Sequence, residues 1–151
     1  MRTGPAKAIE RRGDKSMKKY WIEYSPDFTR SPMTFWVHRE VGDGPWYQAT
    51  DFNPPLPGPV PGKGFASYFV ECDGFVFQFS SLAEMDEAIE VFSIKNLPTD
   101  RQLSERRGTT KGPNSHWLSR LPGSVKPWRY REKAVKLLKE AKIEFAKQVS
   151  K

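Results

Sequence analysis

The segment from Phe65 to Phe79 constrains the fold more than any other part of this 151-residue chain. Phe65, Ser67, Phe69 and Glu71 alternate with Ala66, Tyr68, Val70 and Cys72, the period of a strand whose two faces meet different surroundings. Asp73-Gly74 follows, a pair that takes up the two positive φ angles of a type I′ turn at low cost. Phe75, Phe77 and Phe79 then line one face of a returning strand. Three phenylalanines at period two need an apolar layer against them, and the next residues supply it. Ser81-Leu82-Ala83-Glu84 is a capping box, and Leu82, Met85, Ile89 and Phe92 recur at helical spacing to about Lys95, where Asn96-Leu97-Pro98 stops the helix.

Upstream, Tyr20, Ile22 and Tyr24 alternate with Trp21 and Glu23, a second half-buried strand ended by Ser25-Pro26-Asp27. Met33, Phe35, Val37, Arg39 and Val41 alternate with Thr34, Trp36, His38 and Glu40, which predicts a third, and Trp46 to Thr50 is a weaker candidate. Residues 53–64 hold five prolines and three glycines, so a long polyproline-like loop is expected there; it either crosses a sheet edge or serves a proline-reading partner. Beyond Thr99 regular periodicity fades, apart from a helical turn expected near Ser115 to Arg120. Pro127 then opens a last helix, run to about Val149, with Trp128, Ala134, Val135, Leu138, Ala141, Phe145 and Val149 on one stripe.

The expected class is α+β: an antiparallel sheet of four or five strands with one helix packed on a face, plus a basic C-terminal irregular arm and long helix. Residues 17–98 would form the sheet and its helix, and residues 99–151 the arm and helix on the same domain. Residues 1–16 lack any period, and two readings stand: a disordered tail, or a translation start placed too early, with Met17 the first residue. A single cysteine, Cys72, rules out an intrachain disulfide and points to a reducing, cytoplasmic setting. No run approaches the roughly 20 apolar residues that span a bilayer, so no membrane partner is expected.

Charge is unevenly spread. Residues 1–15 carry five basic and two acidic side chains, residues 16–100 six and twelve, and residues 101–151 fourteen and four, so the net +7 conceals a strongly basic C-terminal third. A polyanion is the partner class that such a region suits. Arg106, Arg107, Lys111, Arg120, Lys126, Arg129, Arg131, Lys133 and Lys136 are candidates for phosphate contacts, and His116, Trp117 and Trp128 for stacking on bases. Against this stands the plainer alternative that the aromatic rings are core and the cations a solvated helix face.

With two histidines and one cysteine the chain lacks the ligands of a usual four-ligand Cys/His zinc site. His38 reads as a strand residue, His116 has no evident nucleophile to activate, and Cys72 beside Asp73 reads as a packing residue. Gly62-Lys63-Gly64 lacks the following helix of a phosphate-binding loop. No catalytic residue, metal or cofactor is assigned. The leading expectation is therefore non-catalytic nucleic-acid binding through the C-terminal region. The alternative is a protein-interaction module, such as an inhibitor or accessory protein from a bacterial mobile element, self-association into a homo-oligomer included.

Overall fold

The computed structural model describes residues 19–97, 102 and 117–150, excepting the side chains of Ser119 and Arg120. The expectations for residues 1–16 and for the arm before Trp117 lie outside these residues. Strands β1 (Tyr20–Ser25), β4 (Phe65–Cys72) and β5 (Phe75–Phe79) form one antiparallel sheet in the order β1-β4-β5. The expected hairpin closes at Asp73 and Gly74, with φ of 51° and 89°, and pairs Cys72 with Phe75 and Tyr68 with Phe79. Strand β1 sets Tyr20 opposite Val70 and Tyr24 opposite Ala66. One sheet face thus presents Tyr20, Ile22, Tyr68, Val70, Cys72, Phe77 and Phe79, and the other Trp21, Glu23, Phe69, Glu71 and Val76.

The inner face is covered by α2 (Leu82–Phe92) and α3 (Trp128–Val149). Helix α2 brings Met85, Ala88, Val91 and Phe92 into the core; α3 brings Ala134, Leu138, Ala141 and Phe145. Phe145 meets Tyr68 and Tyr20 at ring separations of 5.1 and 5.6 Å, and Phe92 meets Phe77 at 5.7 Å. Burying each such side chain contributes on the order of 1.5–3 kcal/mol, so this shared layer is the main source of cohesion between sheet and helices.

Three expectations are corrected. Instead of four or five strands in one sheet, there are three among the described residues, and β2 (Arg39–Glu40) pairs with β3 (Phe52–Asn53) in a separate two-stranded ribbon. Residues 33–41 do not run as a strand: Thr34–Val37 is one turn of helix, α1, and only Arg39–Glu40 is extended. The reason lies in Ser31-Pro32, whose carbonyl and side chain at Ser31 accept the amides of Thr34 and Met33 and start a turn. The turn buries Met33 and Thr34, adjacent residues that an alternating strand would have sent to opposite faces. Trp46–Gln48 is a short 3-10 helix rather than a strand, because Trp46 turns inward to donate its indole N–H to the His38 carbonyl at 2.7 Å.

Candidate nucleic-acid interface

Helix α3 carries most of the described cations of the basic third. Its buried positions, Arg131, Ala134, Leu138, Ala141 and Phe145, recur at three and four residues and fix which side faces out. Arg129, Lys136, Lys139 and Lys147 are exposed on the opposite side, with Glu132 and Glu140 among them. Glu140 accepts a hydrogen bond from the Tyr20 hydroxyl at 2.8 Å, which ties α3 to β1; burial and that carboxylate push the Tyr20 hydroxyl up to about 12. Lys147 lies 3.6 Å from Glu144, Lys142 lies 2.7 Å from Asp86, and Lys133 lies 2.8 Å from Asp73 at the hairpin turn. The bond to Asp73 raises the Lys133 ammonium above its ordinary value. Among the described residues no ion pair engages Arg129, Lys136 or Lys139.

The sequence-derived candidates thus divide. Arg129 and Lys136 face solvent, Lys126 is half-buried, and Lys133 is exposed but paired. Arg131 is inside the fold, 3% exposed. Its guanidinium donates to the carbonyls of Phe92 (3.1 Å), Ile94 and Lys95 (2.8 Å), and through Nε to that of Lys126 (2.7 Å). It closes the C-terminal end of α2, whose last carbonyls have no partner within the helix. Burial lowers its pKa from the ordinary value. Trp117 is packed on Phe92 at 6.4 Å with 3% of its surface exposed, and Trp128 has the Arg131 guanidinium 5.0 Å above its ring. Neither Trp117 nor Arg131 is available to an external ligand, which corrects both assignments. Arg106, Arg107, Lys111, His116 and the side chain of Arg120 lie outside the described residues. Lys139 was not singled out from sequence; its place one turn beyond Lys136 was the available signal.

The densest polar constellation was also missed. Glu84, fully buried, accepts hydrogen bonds from the Ser31 hydroxyl, from Thr34 Oγ1 at 2.9 Å and from the Ser80 amide at 2.8 Å. His38, equally buried, places Nδ1 2.8 Å from the Pro54 carbonyl and Nε2 2.8 Å from Ser81 Oγ and 3.4 Å from Glu84 Oε2. Ser81 Oγ in turn accepts the Glu84 amide at 3.2 Å, the capping contact expected from sequence. The Glu84 carboxylate reaches past Ser81 to the amide of Ser80, which departs from the usual reciprocal box. A serine, a histidine and a glutamate in line resemble a nucleophile and its base, but Ser81 is 5% exposed and its hydroxyl caps the helix. With His38 and Glu84 at 0%, a substrate has no approach, and the group serves to pin α1, the proline loop and the start of α2 together. Among the described residues no three His, Cys, Asp or Glu side chains are grouped to hold a metal ion, and no helix is long and apolar enough to cross a membrane. No family model, curated protein or solved structure matches the chain.

Proposed function

We propose that the protein binds nucleic acid without catalysing a reaction on it, using the outward ridge of α3 together with the basic sequence that precedes the helix. The observation that supports this reading is the solvent-facing set Arg129, Lys136 and Lys139, in no ion pair among the described residues though Glu132 and Glu140 lie beside them, on the most basic third of the chain. Phosphates are the ligand such a ridge fits, because each neutralised phosphate releases condensed counterions and so drives association. The test is a fluorescence-anisotropy titration of a labelled 20-base-pair duplex across a salt series, for wild type and for the triple variant Arg129→Gln/Lys136→Gln/Lys139→Gln. The variant is expected to bind more weakly, with the slope of log K against log salt shallower by about 2.7, at about 0.9 per lost phosphate contact. Absence of wild-type binding at low salt would remove the proposal.

A second reading, docking of a protein partner, is favoured by the outer sheet face. There Trp21 stacks on Phe69 at 5.5 Å, Val76 is 42% exposed, and Glu23 and Glu71 flank them. Substituting Val76→Lys would abolish such docking and leave duplex binding unchanged.

A further inference from the structure

We infer that the proline loop is a recognition segment, whose residues 55–61 present two edges of a polyproline II helix to a partner protein carrying an aromatic-lined groove. From Pro54 to Val60 every residue is a proline or stands immediately before one. Proline fixes its own φ near −65° and drives the residue before it into extended ψ, so the segment is held close to polyproline geometry without needing internal hydrogen bonds. Gly58, the residue with most freedom to turn aside, keeps a φ outside the positive range taken by Gly62 and Gly64. Residues 55–59 accordingly run without helix, strand or turn.

Exposure repeats with the three-residue period of that helix. Pro54, Pro57 and Val60 share one edge, and all three are half-buried against the fold. Pro55, Gly58 and Pro61 share the second edge, and all three are exposed; the third edge holds half-buried Leu56 and exposed Pro59. A Cβ placed on Gly58 meets nothing within 4 Å, so the outward edge borders open space. Both ends of the segment are tied down. The Pro54 carbonyl accepts from His38 Nδ1 at 2.8 Å, and Val60 exchanges two backbone hydrogen bonds with Gly64 at 2.7 and 3.0 Å. Lys63 places its ammonium 5.4 Å from the centre of the Tyr24 ring on β1.

The chemistry of these edges selects the partner. Residues 54–62 carry no charge, and their prolines have no N–H to donate, so the edges offer apolar rings and acceptor carbonyls. Their complement is a groove of aromatic side chains with a few donors, the mode by which proline-rich segments dock on SH3 and WW domains. Because the extended form is already anchored at both ends, little ordering entropy remains to be lost on docking. The pair Pro54 and Pro57 lies on the inward edge, so recognition falls to Pro55, Pro59 and Pro61.

The experiment presents the full-length protein to an immobilised panel of SH3 and WW domains and reads binding by interferometry. Binding of wild type to at least one domain is expected, with affinity at least tenfold lower in Pro55→Ala/Pro59→Ala/Pro61→Ala and in Gly58→Glu. The second variant seats its side chain in open space, so its thermal unfolding midpoint should match that of wild type and separate lost recognition from lost fold. No binding to any domain, or undiminished binding in either variant, would overturn the inference. So would capture of a free peptide of residues 53–64 without capture of the folded protein, since the groove would then be reading the edge that the fold covers.

Discussion

At the level of single residues, the decisive group is a histidine that the sequence pattern disguised. His38 occupies a stretch in which apolar and polar residues alternate, and period two is the mark of a strand; nothing local reveals that Glu84, far along the chain, waits for both Thr34 and His38. Burial works to lower the His38 pKa, but the hydrogen bond to Glu84, that to the Pro54 carbonyl and the charge of Glu84 outweigh it, and the net shift is upward. A raised folded-state value means that protonation favours the fold. The contribution is complete below the ordinary value near 6.5 and is lost as pH rises through the higher folded value. Urea unfolding of wild type is therefore expected to show falling stability as pH climbs above the ordinary histidine value near 6.5, with His38→Gln less stable throughout and flatter over that range. A wild-type profile that is level across the window, or rises, would contradict it. Glu84→Gln removes the carboxylate at which His38 and three donors aim inside the core, and a loss of about 3–5 kcal/mol is expected in the same assay.

Among the elements, the hairpin β4–β5 and the start of α2 were legible because their signals are local: Asp73-Gly74 for the turn, Ser81 for the cap. The apolar stripe of α3 was legible too, and Arg131 sits on it, three residues before Ala134 and seven before Leu138. That register is the signal that Arg131 is internal, although its charge had placed it among the candidate phosphate contacts. Its four carbonyl acceptors come from the end of α2 and the turn before α3, so it clasps the two helices. Arg131→Lys keeps the charge but a compact ammonium cannot span a planar fork of acceptors. A loss of about 2–4 kcal/mol is expected, with faster amide exchange confined first to the last turn of α2. Equal exchange rates in both proteins would show the clasp to be incidental. Gly64 marks the other junction: at φ 109° a Cβ there would meet the Ser25 carbonyl oxygen at 2.5 Å. Gly64→Ala is accordingly expected to cost more than about 1 kcal/mol, measured by thermal unfolding, since strain and clash act together.

For the molecule as a whole, the linear split of charge becomes a division between layers. The outer sheet face carries Glu23 and Glu71, while the cations of α3 look away from the sheet across the helix layer. The run of Lys and Arg was plain in the sequence; which of them reach solvent depended on helix register and on partners such as Asp73 and Asp86, distant in sequence, and so was not. A helix about 10 Å across lying on a sheet separates the two faces by roughly 15 Å or more. That exceeds the Debye length of about 8 Å at physiological salt but not the about 30 Å at 10 mM. If nucleic acid sits on α3, reversing the far face in Glu23→Lys/Glu71→Lys acts only through the long-range field. Affinity for duplex is then expected to change by less than about twofold near 0.15 M salt and to rise clearly near 10 mM, because screening removes the distant charges first. A tenfold gain at 0.15 M would instead mean that phosphates lie within contact reach of Glu23 and Glu71, and would move the binding surface from the helix to the sheet.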